Sequence, residues 1–126
     1  MRPQYHFRPS EQGLLAWDVR NLIKKTIDLT PSEIELTSIL EIDEMYWYDS
    51  EGDAPTCRSI ANHSKLINGA DLSFPIILDP DGRVMDGMHR VCKALVLGLE
   101  KIDAYKLPEM PDPDFIGISA KDLPYE

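Results

Sequence analysis

Residues 75–98 read PIILDPDGRVMDGMHRVCKALVLG, and no other stretch limits the fold so tightly. β-formers at 75–78 meet the tight-turn sequence Asp79-Pro80-Asp81-Gly82, and a second short run at 83–85 follows. Asp86 and Gly87 then open an amphipathic run that stops at Gly98. The order predicted is strand, turn, strand, glycine, helix. A helix leaves the N–H groups of its first turn without intrahelical acceptors and with partial positive charge. Glycine allows a ligand close to the backbone. With Met88, His89 and Arg90 in that turn, the segment suits an anion, above all a phosphate. Each residue also has a plainer job: Asp86 as helix cap, Gly87 as turn glycine, His89 as structural hydrogen-bonder, Arg90 as partner to an acid.

The rest of the chain sets bounds. Its 126 residues suffice for one domain with a real core. No apolar run approaches 18 residues and the N-terminal stretch has no apolar signal-like segment, so neither a membrane span nor a secretory signal is expected. Two cysteines without a disulfide framework point to a reducing cytoplasm. A net charge of −9 opposes duplex DNA, whose affinity rests on Lys and Arg neutralising phosphates, and favours a small phosphorylated ligand in a local basic pocket. His6, His63, His89, Cys57 and Cys92 form no zinc-type pair, so no metal site is predicted.

Apolar residues Leu15, Val19, Leu22, Ile23 and Ile27 predict a helix over 10–27, ended before Pro31. A short strand is expected within 33–40, then a loop over 41–53 carrying Glu41, Asp43, Glu44, Asp49, Glu51 and Asp53 with Tyr46, Trp47 and Tyr48. Its plain reading is a solvated acidic loop with aromatics over the core. Its chemical reading is a carboxylate serving as base, or holding Mg²⁺ against phosphates. A second helix starts near Pro55-Thr56 and ends at Asn68-Gly69, and a strand is expected over 99–107. Beyond it, 108–126 holds four of the ten prolines and reads as an extended tail.

Asp86-Gly87-Met88-His89-Arg90 after a hairpin resembles the Asp-Gly-x-His-Arg signature of the ParB/sulfiredoxin superfamily. The likeness is best over 72–107 and reaches loosely back to Ile34; the first 30 residues lie outside it. It implies an α/β (α+β) domain with a mixed sheet and flanking helices over 31–107, between a helical extension (1–30) and the proline-rich tail (108–126). Monomer and homodimer both remain open. Sulfiredoxins place a catalytic cysteine where this chain has Met88, and a thioether cannot replace a thiolate, so sulfinic acid reduction is not expected. ParB proteins carry a Gly-Glu-Arg-Arg type sequence at this place, and their DNA-binding modules do not fit in this length. Free-serine kinases, with Asp-Gly-His-His-Arg, differ only at Met88. By that resemblance a nucleotide (ATP, ADP or CTP, with Mg²⁺ arriving alongside) would sit on Asp86, Gly87, Met88, His89 and Arg90, with Arg58 of the preceding helix as a further contact. Glu41, Asp43 or Glu44 would be the base, opposite His89. The expected function is a nucleotide-sensing or regulatory module; the alternatives are an ATP- or ADP-dependent phosphotransferase and an interaction protein without a ligand.

Overall fold

A computed structural model describes residues 4–48 and 54–125. Asp49, Glu51 and Asp53 of the acidic loop lie outside the described residues. The chain is a small α/β domain with two sheets. The body is a four-stranded mixed sheet in the order β3-β6-β4-β5, built from β3 (Ser32–Glu35), β4 (Ile76–Leu78), β5 (Val84–Asp86) and β6 (Lys101–Lys106). β4 and β6 run parallel and the other neighbours antiparallel. The smaller sheet, β1-β2-β7, joins β1 (Tyr5–Arg8) and β2 (Leu15–Asp18) to β7 (Phe115–Ile116).

Strand alternation explains how the body sheet fills both its faces. Ile76 and Leu78 point with Val84, Ile102 and Ala104 into a core closed by Met88, Val91 and Ala94 of helix α3 (Met88–Val96). Ile77 and Met85 point the other way, into a second cluster with Trp17, Leu22 and Leu107. Burial on both faces is why Ile76-Ile77-Leu78 reads as an unbroken apolar run rather than an alternating one.

The predicted elements of the body are found, with shorter bounds. The β4–β5 turn is organised by Asp79, whose Oδ1 accepts from the N–H groups of Asp81 (2.8 Å) and Arg83 (3.0 Å). Helix α2 (Cys57–Gly69) starts at Thr56, whose hydroxyl accepts from the Ser59 N–H at 3.1 Å. Helix α3 ends in a Schellman motif: Gly98 has φ 72°, its N–H bonds to Leu95 O, and the Leu99 N–H bonds to Ala94 O, both at 3.0 Å. β3 is briefer than 33–40; Leu36–Ser38 and Leu40–Asp43 instead form 3-10 turns.

The N-terminal expectation is corrected. Residues 10–27 are not one helix: β2 occupies Leu15–Asp18, and only Val19–Lys24 is helical (α1). Asp18 caps α1 through the Arg20 N–H at 2.9 Å, which fixes the strand-to-helix switch. The apolar stripe was real, but Leu15 and Ala16 are satisfied by pairing with Ile116 and Phe115, a hundred residues away in sequence. Within 108–126, β7 joins the small sheet and Ala120–Asp122 forms a 3-10 turn. Among the described residues no helix is long and apolar enough to cross a membrane.

Candidate functional site

A cleft of about 870 Å³ separates the small sheet from the body. One wall comes from residues 4–9 of β1 and its flanks and from Ser119–Lys121; the other comes from Glu41, Tyr46, Trp47 and residues 83–89. The β5–α3 junction therefore opens into the cleft. Gly87 is the helix cap, at φ 106°, ψ 21°. A Cβ there would lie 2.6 Å from Ile76 Cγ2 and 2.9 Å from an Arg90 nitrogen, so packing beneath the turn already demands glycine. Met88 buries its side chain in the core while its N–H opens the helix. The first intrahelical bond runs from the Val91 N–H to Gly87 O, which leaves the N–H groups of Met88, His89 and Arg90 without intrahelical acceptors.

Arg90 does not line the cleft. Its Nη1 donates to the carbonyls of Phe74 and Pro75, and its Nη2 to Asp86 Oδ2, all at 2.8 Å. The guanidinium is a staple between α3 and the start of β4, which is the plainer of the two readings. Asp86, in turn, pairs with Arg90, and burial raises its pKa against the pull of that partner and of the Gly87 N–H. Arg58 sits exposed on α2, outside the cleft lining.

His89 lines the cleft and meets a partner the sequence did not announce. Its Nε2 lies 2.9 Å from His63 Nδ1, and the Trp47 ring stacks on both imidazoles, 4.2 Å from His63 and 4.5 Å from His89. Burial, then the neighbouring His63, lowers His89 to about 4. At neutral pH it is an uncharged hydrogen-bonding group rather than a cation. The two histidines lie 26 residues apart on packed helices, and no local signal in the sequence links them.

The acidic candidates divide. Glu41 is buried at 4% exposure, and its Oε2 accepts from the Val84 N–H at 2.7 Å with Arg83 Nε at 3.4 Å. Its Oε1 is buried with no hydrogen-bond partner among the described residues. Glu44 also lines the cleft, but it is held by Arg83 at 2.6 Å. Asp43 is exposed and lines a different hollow. Two of the three candidate carboxylates thus share the cleft with Gly87, and one does not.

The opposite wall adds residues that the sequence reading passed over. Arg8 Nη1 pairs with Asp79 Oδ2 at 2.8 Å, and its Nε donates to His6 Nε2 at 2.9 Å. That bond assigns the His6 proton to Nδ1, which faces the Tyr46 hydroxyl at 3.3 Å. Burial, followed by Arg8, lowers His6 to about 3, with Asp79 pulling the other way. Asp79 is itself resisted by burial, yet the N–H groups of Arg83 and Asp81 and the Arg8 guanidinium hold it below the usual carboxylate range. Arg8 Nη2 is buried without a partner among the described residues. Arg8 and His6 were missed because they lie outside the region of family likeness, on a strand that reads as an appendage.

No family model, no curated protein and no solved structure matches the chain.

Proposed function

We propose that the cleft binds a small phosphate-bearing ligand, nucleotides (ATP, ADP or CTP) among them, and that the protein works as a sensor or regulatory module. One observation carries this reading: Glu41 Oε1 and Arg8 Nη2, an acceptor and a donor, are both buried and unpartnered in residues that line the cleft into which α3 opens. A buried polar atom without a partner costs about 1–3 kcal/mol, more when charged, so the pair favours a shift of the cleft wall that gives both atoms partners on a bound ligand. The free N–H groups of the first turn of α3 supply the phosphate end. The resemblance of residues 86–90 to the ParB/sulfiredoxin signature points to the same turn. Arg8, rather than Arg90, is the cation available to the ligand.

A second reading, a phosphotransferase, rests on Glu41 alone. Its Oε2 is fixed while its buried Oε1 has no partner among the described residues, and that oxygen becomes a base once the cleft wall opens to a substrate hydroxyl. A cytoplasmic setting fits the two free thiols, Cys57 and Cys92.

The test is a thermal-shift panel of ATP, ADP, CTP and pyrophosphate, with and without Mg²⁺. A hundredfold excess over Kd stabilises by about 2.7 kcal/mol, which is about 10 °C for a chain of this size. Glu41→Gln keeps the oxygen that accepts from Val84 and turns the other atom into a donor, so it should weaken the preferred ligand. A flat panel overturns the reading. Phosphate transfer to free serine or a related hydroxyl compound, abolished by Glu41→Gln, would replace the sensor with the enzyme.

A further inference from the structure

The 3-10 turn Leu40–Asp43 contributes to two hollows. Glu41 belongs to the cleft, whereas Ile42 and Asp43 line a separate groove of about 460 Å³. The partly exposed Leu95 and Leu99 and the half-buried Ile42 form its apolar surface over the buried Leu36 and Ile39, and Glu35, Asp43 and Glu100 add three carboxylates. No Lys or Arg lines it, and no ion pair engages any of the three acids among the described residues. Positions close in sequence to the lining are exposed and apolar too: Leu40 is 62% exposed, Val96 76% and Leu97 58%. Apolar surface gathered in this way on a water-soluble domain marks a place where something docks.

We propose that this groove receives an amphipathic helix from a partner protein, its apolar side chains seated between Leu95, Leu99 and Ile42 and its flanks carrying Lys or Arg. The charge pattern selects that occupant. Three unpaired carboxylates around an apolar surface attract a basic rim and repel an acidic one. A second copy of the chain is disfavoured by the same charges, since a twofold contact would set one acidic rim against the same acidic rim of the other copy. Strand addition is disfavoured as well. β3 is the outermost strand beside the groove, but Glu33 and Glu35 are exposed along it, and charges of this kind blunt an open edge.

The experiment uses the full chain and two labelled peptides of about five helical turns. One has Leu at i, i+3, i+4 and i+7 with Lys elsewhere; in the other Glu replaces every Lys. Fluorescence anisotropy should show the Lys peptide binding, the Glu peptide not binding, and the affinity falling with added salt. Leu99→Lys and Asp43→Lys, both at exposed positions and each checked by thermal melt, should weaken the Lys peptide about tenfold or more. Equal binding of both peptides overturns the proposal, as does binding unchanged in both variants, or no binding at all. A concentration-dependent dimer abolished by Leu99→Lys would overturn it in favour of a second copy.

Discussion

The two sheets are held together by different means. In the body, buried apolar residues interlock on both faces of β4, β5 and β6, and Trp17 of β2 and Leu22 of α1 close one of those faces. The small sheet joins β2 to a segment about a hundred residues away and adds polar fasteners and ring contacts to the apolar anchor of Trp17. Trp17 Nε1 donates to Pro111 O at 2.9 Å, and Asp114 accepts from the Asp18 N–H at 2.8 Å and from Asn21 at 3.0 Å. Tyr5 meets Phe115 and Tyr125 edge-on, and its hydroxyl bonds to Pro124 O. Arg8–Asp79 is the ion pair that ties this sheet to the body. Apolar packing therefore sets the fold, while the polar seam between the sheets supplies much of the cleft's chemistry. A site placed on such a seam can be altered without dismantling the core.

The largest break in this contrast should come from within the body. Gly87→Ala puts a methyl group 2.6 Å from Ile76 Cγ2, at a backbone angle unfavourable to any side chain. A loss of about 3 kcal/mol or more is expected, read as a lowered denaturant midpoint for the whole molecule. A loss below about 1 kcal/mol would mean that the turn is far more yielding than its packing implies.

Asp79→Ala should come next, at about 2–3 kcal/mol, because it removes two turn hydrogen bonds and leaves the Arg8 charge without its partner. Its signature is uneven. Hydrogen exchange should speed up more in β1 than in β6, and equal acceleration in both would show that the seam and the body open together.

The smallest effect is on pH dependence. His6 (about 3) and His89 (about 4) both titrate below the ordinary 6.5, so the unfolded chain takes up protons that the folded chain refuses. Stability is therefore full above about pH 6.5 and falls as the pH drops towards 4. Thermal melts across that window should show a steeper acid limb for the wild type than for His6→Gln; parallel limbs would mean that His6 accepts a proton without cost.

Legibility follows the same division. The β4–β5 hairpin, the glycine and α3 were readable because Asp-Pro-Asp-Gly, Gly87 and Gly98 act locally, as does the Thr56 cap of α2. The span 10–27 was misread because Leu15, Val19 and Leu22 satisfy a helical stripe, and only β7 reveals that Leu15 and Ala16 belong to a strand. Glu41 and Glu44 could be proposed from a crowd of acids, but which carboxylate turns inward depends on the 3-10 turn. Arg90 was assigned to the ligand because sequence shows its charge and not the carbonyls of Phe74 and Pro75. The His63–Trp47–His89 stack arises only where α2, α3 and the acidic loop converge.

The pairing of β2 with β7 also bears on when the cleft comes into being. Most of the body can close as soon as residues 32–107 are available, since its strands are joined by one tight turn and two helix-bearing connections, through α2 and α3. β1 and β2 form a local hairpin, but the wall holding Ser119–Lys121 must wait for β7, about a hundred residues downstream, to return to β2. Closing so long a loop is slow compared with local pairing. In a chain emerging from the ribosome, the cleft is therefore finished after the core.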